Sequence, residues 1–304
     1  MYFAKRLAMV VPLLLIISFL AFMLVRVAPG GPFDRARAPA SPEIERQIQA
    51  KYHLDESKWK QYLRFLGDLA HGDFGPSLKY RNHTVNDIIA QALPVSMTLG
   101  LLAFGFAMGV GLPLGFFTAA RRGHWQDYTG SFLAILMVCV PAFVVAPVLI
   151  MLFAIQWRLL PVALWASPWH AVLPTIALGL FFSGKIARLL REGMLNTMQA
   201  EFITTARAKG LSENAVLLKH ALRLAILPVV SYSGPLLADL LTGSFVIENM
   251  FQIPGLGAFL VNGSLNRDYT MVVGLVVLYA ALLIVLNLLV DFAYVLLDRR
   301  VKYG

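Results

Sequence analysis

Long apolar stretches constrain the fold of this chain more than any other feature of its sequence. Of its 304 residues, 58% are hydrophobic and only 14% are charged, whereas an average globular domain is about 45–50% apolar. An apolar run of roughly 20 residues is long enough to cross the hydrocarbon core of a bilayer as a helix. The sequence therefore predicts an all-α membrane protein with six transmembrane helices. They are expected at residues 7–28, 95–120, 131–156, 171–190, 225–247 and 271–297.

The distribution of basic residues predicts the orientation of these helices. The chain has a formal net charge of +9. Lys and Arg cluster before the first span, after the second, after the fourth and at the C-terminus, whereas the other short loops hold only Arg158 and Arg267. By the positive-inside rule, both termini lie in the cytoplasm, and the basic residues of the long external loop do not conflict with this because loops above about 60 residues escape the rule. Topology thus explains the basicity without a nucleic acid partner.

This topology divides the chain into three parts. Residues 1–29 hold the first transmembrane helix, 30–93 form an external cap loop with short helices, and 94–304 form a five-helix core with a cytoplasmic loop at 191–224. Apolar spacing predicts one cap helix over 43–69 and a second, at 85–92, that lies on the membrane surface. The cap either meets a soluble protein outside or merely covers the bundle, and the sequence leaves both roles open.

The sequence of the cytoplasmic loop predicts two short helices outside the membrane. The first covers 194–209 and stops at Gly210, which suits a left-handed C′ position, and the second begins with Ser212 as its N-cap and Glu213 in its first turn. A chain that is otherwise embedded in the membrane has little reason to keep such helices unless a partner docks there. Attraction of the loop to anionic lipid is the alternative. DNA binding is disfavoured because nearby spans would hold the loop against the headgroups.

Several stretches of this sequence resemble one transporter family. Residues 202–211, read with 219–223 and with Leu227-Pro228, resemble the coupling-helix signature of binding-protein-dependent ABC importer permeases. Thr204-Thr205-Ala206 stands where the wider family has Glu-Ala-Ala, which is typical of the peptide-permease branch. The long external loop after the first span favours the first membrane subunit of an oligopeptide permease over its sister. Further matching stretches are 26–33, 51–55, 71–77, 246–257 and 266–269.

The resemblance implies a set of partners. These are a second homologous permease subunit, two cytoplasmic ATPase subunits and an extracytoplasmic peptide-binding protein, assembled in the bacterial inner membrane around a type I ABC importer permease fold. ATP and Mg are then bound by the ATPases, and this chain is neither an enzyme nor a holder of a cofactor. The residues implied to couple to the ATPases are Glu201, Phe202, Thr204, Thr205, Ala206, Arg207, Ala208, Lys209, Gly210 and Leu211.

The resemblance leaves the substrate open among oligopeptides, dipeptides and nickel chelates, because all three kinds of permease need similar coupling loops. The external segments 51–55 and 261–269 look most like the oligopeptide type. The spans offer neither a His/Cys cluster nor a carboxylate cage for nickel. Oligopeptides are therefore the expected substrate.

Polar residues at membrane depth are the candidates for a translocation path, because charge there is costly and usually faces a cavity or a partner. Ser231, Pro235, Asp239 and Thr242 are spaced to share one helix face, and Ser244, Glu248 and Gln252 form a second stripe. The alternative is that these groups only bond neighbouring helices. Asp291 is expected to anchor the last span. The path candidates are Ser231, Asp239, Thr242, Ser244 and Glu248.

Other function classes find less support in the sequence. Residues 179–186 nearly form a P-loop, but Ile186 takes the place of the Mg-binding Ser/Thr and the segment is an apolar helix, so Lys185 is expected to extend to the cytoplasmic headgroups. A secondary transporter needs no cytoplasmic docking helix. A membrane hydrolase needs a nucleophile and base inside the spans, whereas the histidines lie outside them and Cys139 is the only cysteine. No catalytic or metal site is predicted.

Overall fold

The computed structural model describes residues 2–27, 53–80, 82–241 and 244–297 of the chain. Within these ranges the backbone forms helices and turns, and the only extended pairing is a bridge between Pro76 and Thr84. The helices are α1 (Tyr2–Val27), α2 (Lys58–Ala70), α3 (Val85–Ala120), α4 (Trp125–Cys139), α5 (Ala142–Leu149), α6 (Val172–Thr197), α7 (Glu201–Ala208), α8 (Glu213–Ala215), α9 (Leu222–Ala225), α10 (Leu227–Leu241), α11 (Phe245–Met250), α12 (Leu256–Leu265) and α13 (Tyr269–Leu297). Helical turns of π type, Ile150–Gln156 and Val216–Ala221, extend α5 and α8.

Five helices in the described ranges are long and apolar enough to cross a membrane, and a sixth span is complete if α4 and the segment Ala142–Gln156 count as one. The prediction of an unbroken helix over 131–156 is wrong, because this pair bends by 101°. Pro141 causes the bend. It has no N–H to donate, and it holds Val140 in an extended conformation (φ −91°, ψ 114°).

Three other predicted boundaries change. In the described part of the cap, the helix predicted over 43–69 begins only at Lys58, after a turn in which His53 has a φ of 54°; residues 44, 48 and 52 lie outside the described ranges. The surface helix predicted at 85–92 is instead the start of α3. The helix predicted over 225–247 is interrupted, since α10 ends at Leu241 and Ser244 is extended.

The chain forms two compact units. The first contains Met1–Val95 and Gly255–Ile284. In it, the Tyr62 hydroxyl of α2 lies 3.0 Å from Ser18 Oγ and 3.1 Å from the Leu15 carbonyl oxygen of α1. The opening turns of α3 are buried against α12 and α13 through an apolar cluster, which explains why they do not lie on a membrane surface. The cluster consists of Val85, Ile88, Ile89, Ala92, Leu256, Met271 and Leu275.

Asp268 joins two distant stretches of the first unit. Its carboxylate is fully buried and accepts hydrogen bonds from Ser77 Oγ, from the backbone N–H groups of Leu78 and Lys79, each at 3.2 Å, and from the Met271 N–H at 3.1 Å. Burial raises the pKa of Tyr80, and the negative charge of the Asp268 carboxylate raises it further. Asp268 thus caps α13 and holds the loop before α3 against it.

The second unit, Ser96–Pro254 and Val285–Lys302, is built around α6. A Cβ on Gly111 or Gly115 of α3 would lie 2.7 Å from the Ser183 carbonyl oxygen or 2.5 Å from that of Ala187, both on α6. A Cβ on Gly184 of α6 would lie 2.5 Å from the Ala134 carbonyl oxygen of α4. The absence of side chains therefore lets three helices approach backbone to backbone. The Gly105 and Gly109 positions have no such neighbour among the described residues.

Gly115 and Gly109 provide a matched test of this packing. Gly115→Ala should destabilise the chain by about 1–3 kcal/mol, because the new methyl group meets a backbone oxygen that cannot rotate away. Gly109→Ala gains helix propensity of up to about 1 kcal/mol without a clash. Thermal unfolding of both variants in detergent measures the difference. Equal stability of the two variants would contradict the close approach of α3 to α6.

Candidate coupling and translocation surfaces

The predicted helix 194–209 is interrupted. Helix α6 ends at Thr197, and its last bonds tighten: Gln199 donates to the Asn196 carbonyl oxygen at 3.3 Å and Ala200 to that of Thr197 at 3.0 Å. Ala200 is extended (φ −75°, ψ 147°) and serves as the N-cap of α7. The segment proposed for coupling is therefore a separate two-turn helix, joined to the long span α6 by a short turn.

The predicted stop at Gly210 is confirmed. Gly210 has a φ of +77°, its N–H donates to the Arg207 carbonyl oxygen at 2.9 Å, and the Leu211 N–H donates to that of Ala206 at 3.4 Å. These two bonds form a Schellman motif, for which glycine is the preferred C′ residue. The predicted cap is confirmed too, since Ser212 Oγ accepts from the Ala215 N–H and Glu213 lies in the first turn of α8.

Arg207 links the two helices. Its Nη2 and Nε donate to the Glu213 carboxylate at 2.6 and 3.1 Å. This pairing raises the pKa of Arg207 and lowers that of Glu213. A lowered carboxyl pKa means that the contribution of the pair is present at neutral pH and is lost as the pH falls through the pKa of Glu213. Both side chains are about half exposed, so the pair orients the loop more than it stabilises the fold.

The outer surface of α7 is exposed in this chain and is therefore available to a partner protein. Ile203 and Ala206 are buried, and α7 packs against the segment Val216–Ala221. Every other residue predicted to couple is exposed. Phe202 and Leu211 are 40% and 41% exposed, although they lie in a polar loop between two candidate spans. Apolar side chains of this kind provide anchors in a protein interface.

An ion pair that the sequence reasoning missed joins α4 to α6 near the coupling loop. Arg191 Nε and Nη2 donate to Asp127 Oδ1 and Oδ2 at 2.8 and 3.0 Å, and the Gly123 N–H donates to Oδ2 at 3.1 Å. The Asp127 side chain is only 6% exposed. The sequence did carry a signal for this pair, because Asp127 and Arg191 stand at the ends of predicted spans on the same predicted side of the membrane.

The path candidates fall into two groups. Ser231, Pro235 and Asp239 are all exposed along one face of α10, as their spacing predicts, whereas Thr242 lies outside the described residues. Glu248 is fully buried, and Ser96 Oγ of α3 donates to its Oε1 at 2.8 Å. This contact supports the helix–helix role for Glu248.

The second predicted stripe does not form one helix face. Ser244 is the N-cap of α11, which ends at Met250, and Gln252 follows in a turn with a φ of 52°. Ser244 and Gln252 therefore lie at opposite ends of this short helix, one before it and one after it. The even spacing in sequence does not become a continuous polar stripe, because the backbone leaves the helix before Gln252.

The stretch that resembles a P-loop lies wholly inside α6. Gly179 and Gly184 are buried against α3 and α4, so their backbone does not form a phosphate-binding loop. The Lys185 ammonium lies 4.8 Å from the Phe181 ring centroid and 5.7 Å from that of Tyr232. Phe181 lies one turn back toward the start of α6, so the Lys185 side chain points away from the end of α6 that leads into α7.

Comparison with known proteins places this geometry in a family. The family described as binding-protein-dependent transport system inner membrane component matches residues 111–303. The oligopeptide transport system permease protein OppB of Haemophilus influenzae is 44% identical, over 98% of each chain. OppB of Salmonella typhimurium is 42% identical over 99% of each chain. The dipeptide transport system permease protein DppB of Bacillus subtilis is also 42% identical, over 99% of this chain and 97% of its own.

The fold has a solved counterpart. An inward-facing structure of the MetNI methionine ABC transporter superposes with a TM-score of 0.60 over 70% of this chain and 97% of that chain, at 16% identity. This likeness shows a type I ABC importer permease fold. Together with the relatives, it makes the chain a multi-pass membrane permease subunit rather than an enzyme. The chain belongs to the binding-protein-dependent transport system inner membrane component family.

Proposed function

We propose that this chain is a permease subunit of an ATP-driven importer that carries oligopeptides into the cytoplasm. The observation that carries the proposal is the exposed outer surface of α7, which is a separate helix between two spans. An ATP-independent transporter needs no such surface. Two of the relatives reported above are named as oligopeptide permeases, which supports that substrate class. Expected partners are a second permease subunit, two ATPase subunits that bind ATP and Mg, and an extracytoplasmic peptide-binding protein.

The coupling step follows from the contacts around α7. A cytoplasmic ATPase binds α7 through its exposed residues and moves it when ATP binds or is hydrolysed. The movement reaches α6 along the chain through residues 198–200. It also passes through Gly193 of α6, which lies against the Ala225 carbonyl of α9, and through the Asp127–Arg191 pair to α4. Displacement of α7 is therefore converted into displacement of the bundle.

The exposed face of α10 is the proposed wall of the translocation path. Ser231 and Asp239 are polar groups at membrane depth, where a charge facing lipid is costly. A wet path shared with the second permease subunit removes that cost. Thr242 and Ser244 stand between α10 and α11 in the sequence, and they are proposed to line the outer end of the path. Glu248 holds α11 against α3 beside this path.

The proposed orientation places both termini in the cytoplasm of a bacterium, with the chain in the inner membrane. The positive-inside distribution of Lys and Arg supports it. In that orientation α7 faces the cytoplasm, where ATP is available, and the loop between α1 and α3 faces the binding protein. Import by an ATP-driven complex requires this arrangement.

Gly210→Val tests the coupling role. A β-branched residue is strained at a φ of +77°, so the end of α7 and its link to α8 should shift. We expect peptide import by the reconstituted complex to fall at least about tenfold while ATP hydrolysis continues, a barrier increase of about 1.4 kcal/mol. The measurement is ATP hydrolysed per peptide imported in proteoliposomes.

Gly72→Val is the matched control, since Gly72 has a φ of +78° in a turn far from α7 in sequence. Its backbone strain is the same, so a general loss of stability affects both variants. The ratio of ATP to peptide should stay normal in the Gly72 variant. Normal import in the Gly210 variant, or the same uncoupling in both, would count against coupling through α7.

Uptake by a deletion strain tests the substrate class. Loss of this chain should abolish uptake of a labelled tri- to pentapeptide, because one half of the path is missing, and should confer resistance to toxic oligopeptide analogues. Uptake returns when the chain is supplied from a plasmid. Loss of dipeptide or nickel uptake with normal oligopeptide uptake, in a strain without a second oligopeptide importer, would replace this assignment with the corresponding alternative.

A further inference from the structure

Lys185 is a charged residue in the middle of a candidate span. The span containing α6 covers Pro168–Thr197, and Lys185 lies roughly midway along it. Ionisable residues at such depth are rare and mark substrate or ion pathways. None of the coupling contacts described above involves the Lys185 side chain. Its place in the span therefore calls for a separate role.

The Lys185 side chain is fixed at mid-height. Long side chains on a helix point back toward its N-terminus, and the Lys185 ammonium accordingly lies over Phe181, one turn earlier. Its second neighbour is the ring of Tyr232 on α10. The side chain is half-buried. The cation is thus held inside the second unit, away from the end of α6 that leads into α7.

Aromatic rings hold this cation without neutralising it. Among the described residues, the ion pairs join other side chains, and no carboxylate lies within 4.0 Å of the Lys185 ammonium. A ring face attracts a cation through its quadrupole and carries no net charge. An ammonium in this setting keeps its capacity to pair with an anion that arrives from elsewhere.

Lys185 also lies beside the proposed path. Tyr232 follows Ser231 directly on α10 and precedes Asp239 by two helical turns, a rise of about 10 Å. The Lys185 ammonium, which extends from α6, lies at the level of Tyr232, and Asp239 lies two turns further along α10, so the two opposite charges stand at different heights beside α10. An extended chain of three residues spans about 10 Å. Opposite charges at this separation suit a peptide whose two ends are oppositely charged.

We propose that Lys185, held by Phe181 and Tyr232, binds the C-terminal carboxylate of the peptide during its passage. The side chains of transported oligopeptides vary, whereas every unmodified peptide carries this one carboxylate. A single cation at mid-path thereby recognises a group that all substrates share. The proposal rests on the proposed function, in which the face of α10 lines an oligopeptide path.

The test compares a tripeptide with a free C-terminal carboxylate and the same tripeptide with a C-terminal amide. The complete complex is reconstituted in proteoliposomes with binding protein loaded with either peptide. Lys185→Gln should reduce import of the free acid at least about tenfold and change import of the amide less than twofold. Lys185→Arg should restore most of the import of the free acid. The binding protein is the same in every experiment. Its own preference for one peptide therefore cancels when the import rate of each variant is divided by that of wild type.

Arg188→Gln is the matched control, since it removes a positive charge from an exposed position one turn further along α6. It should leave the ratio of acid to amide import unchanged. A photoreactive residue next to the peptide C-terminus supplies a second measurement, which does not depend on import of the amide. It should label α6 or α10 near Lys185 in wild type and lose this labelling in Lys185→Gln.

Five results would overturn the proposal. Equal loss of both peptides without rescue by Arg would assign Lys185 to packing of α6 on α10. Loss of the second permease from the purified complex would assign it to a carboxylate of that subunit. Normal import of the free acid by Lys185→Gln, or unchanged photolabelling, would leave no role in recognition. If wild type imports neither peptide, the oligopeptide function itself fails, and this inference fails with it.

Discussion

The close approach of backbones around α6 is the constraint on which the rest of the second unit depends. Lipid is as apolar as the side chains, so helices in a bilayer are held together by packing and hydrogen bonds rather than by the hydrophobic effect. Glycines supply that packing where α6 meets α3, α4 and α9. Because backbone oxygens fill the space where side chains would stand, α6 cannot move without displacing its neighbours.

In the proposed coupling, this packing lets a small surface helix act on a large bundle. Helix α7 is short and makes its buried contacts through only Ile203 and Ala206, so it is not stabilised by a core of its own. Its position is set by α6 before it, by the Schellman motif at Gly210 after it, and by the Arg207–Glu213 pair. The Asp127–Arg191 pair then fixes α4 to α6 just before α7. A partner that moves α7 therefore moves elements that are joined to the membrane spans.

Local signals in the sequence predicted local structure well. The apolar runs indicated the spans, Gly210 and Ser212 indicated the end of one helix and the start of the next, and the resemblance of residues 202–211 indicated the family. The bend at Pro141 was missed because the apolar content is continuous across it. Contacts between residues far apart in the chain, such as Ser77 with Asp268 or Asp127 with Arg191, carry no periodic signal. Helix geometry accounts for the contact of Lys185 with Phe181, whereas its contact with Tyr232 of α10 follows from no spacing rule.

The central claim, that α7 is the surface through which ATP hydrolysis reaches this chain, is tested most directly by cross-linking from single cysteines. Thr204→Cys on α7 and Arg122→Cys in the loop between α3 and α4 are both exposed, and Cys139 is replaced by Ser in each. In the purified complex, the cysteine at 204 should cross-link to an ATPase subunit in high yield and the one at 122 should not. Cross-linking from 122 alone, or from neither position while the ATPases remain bound, would contradict the account.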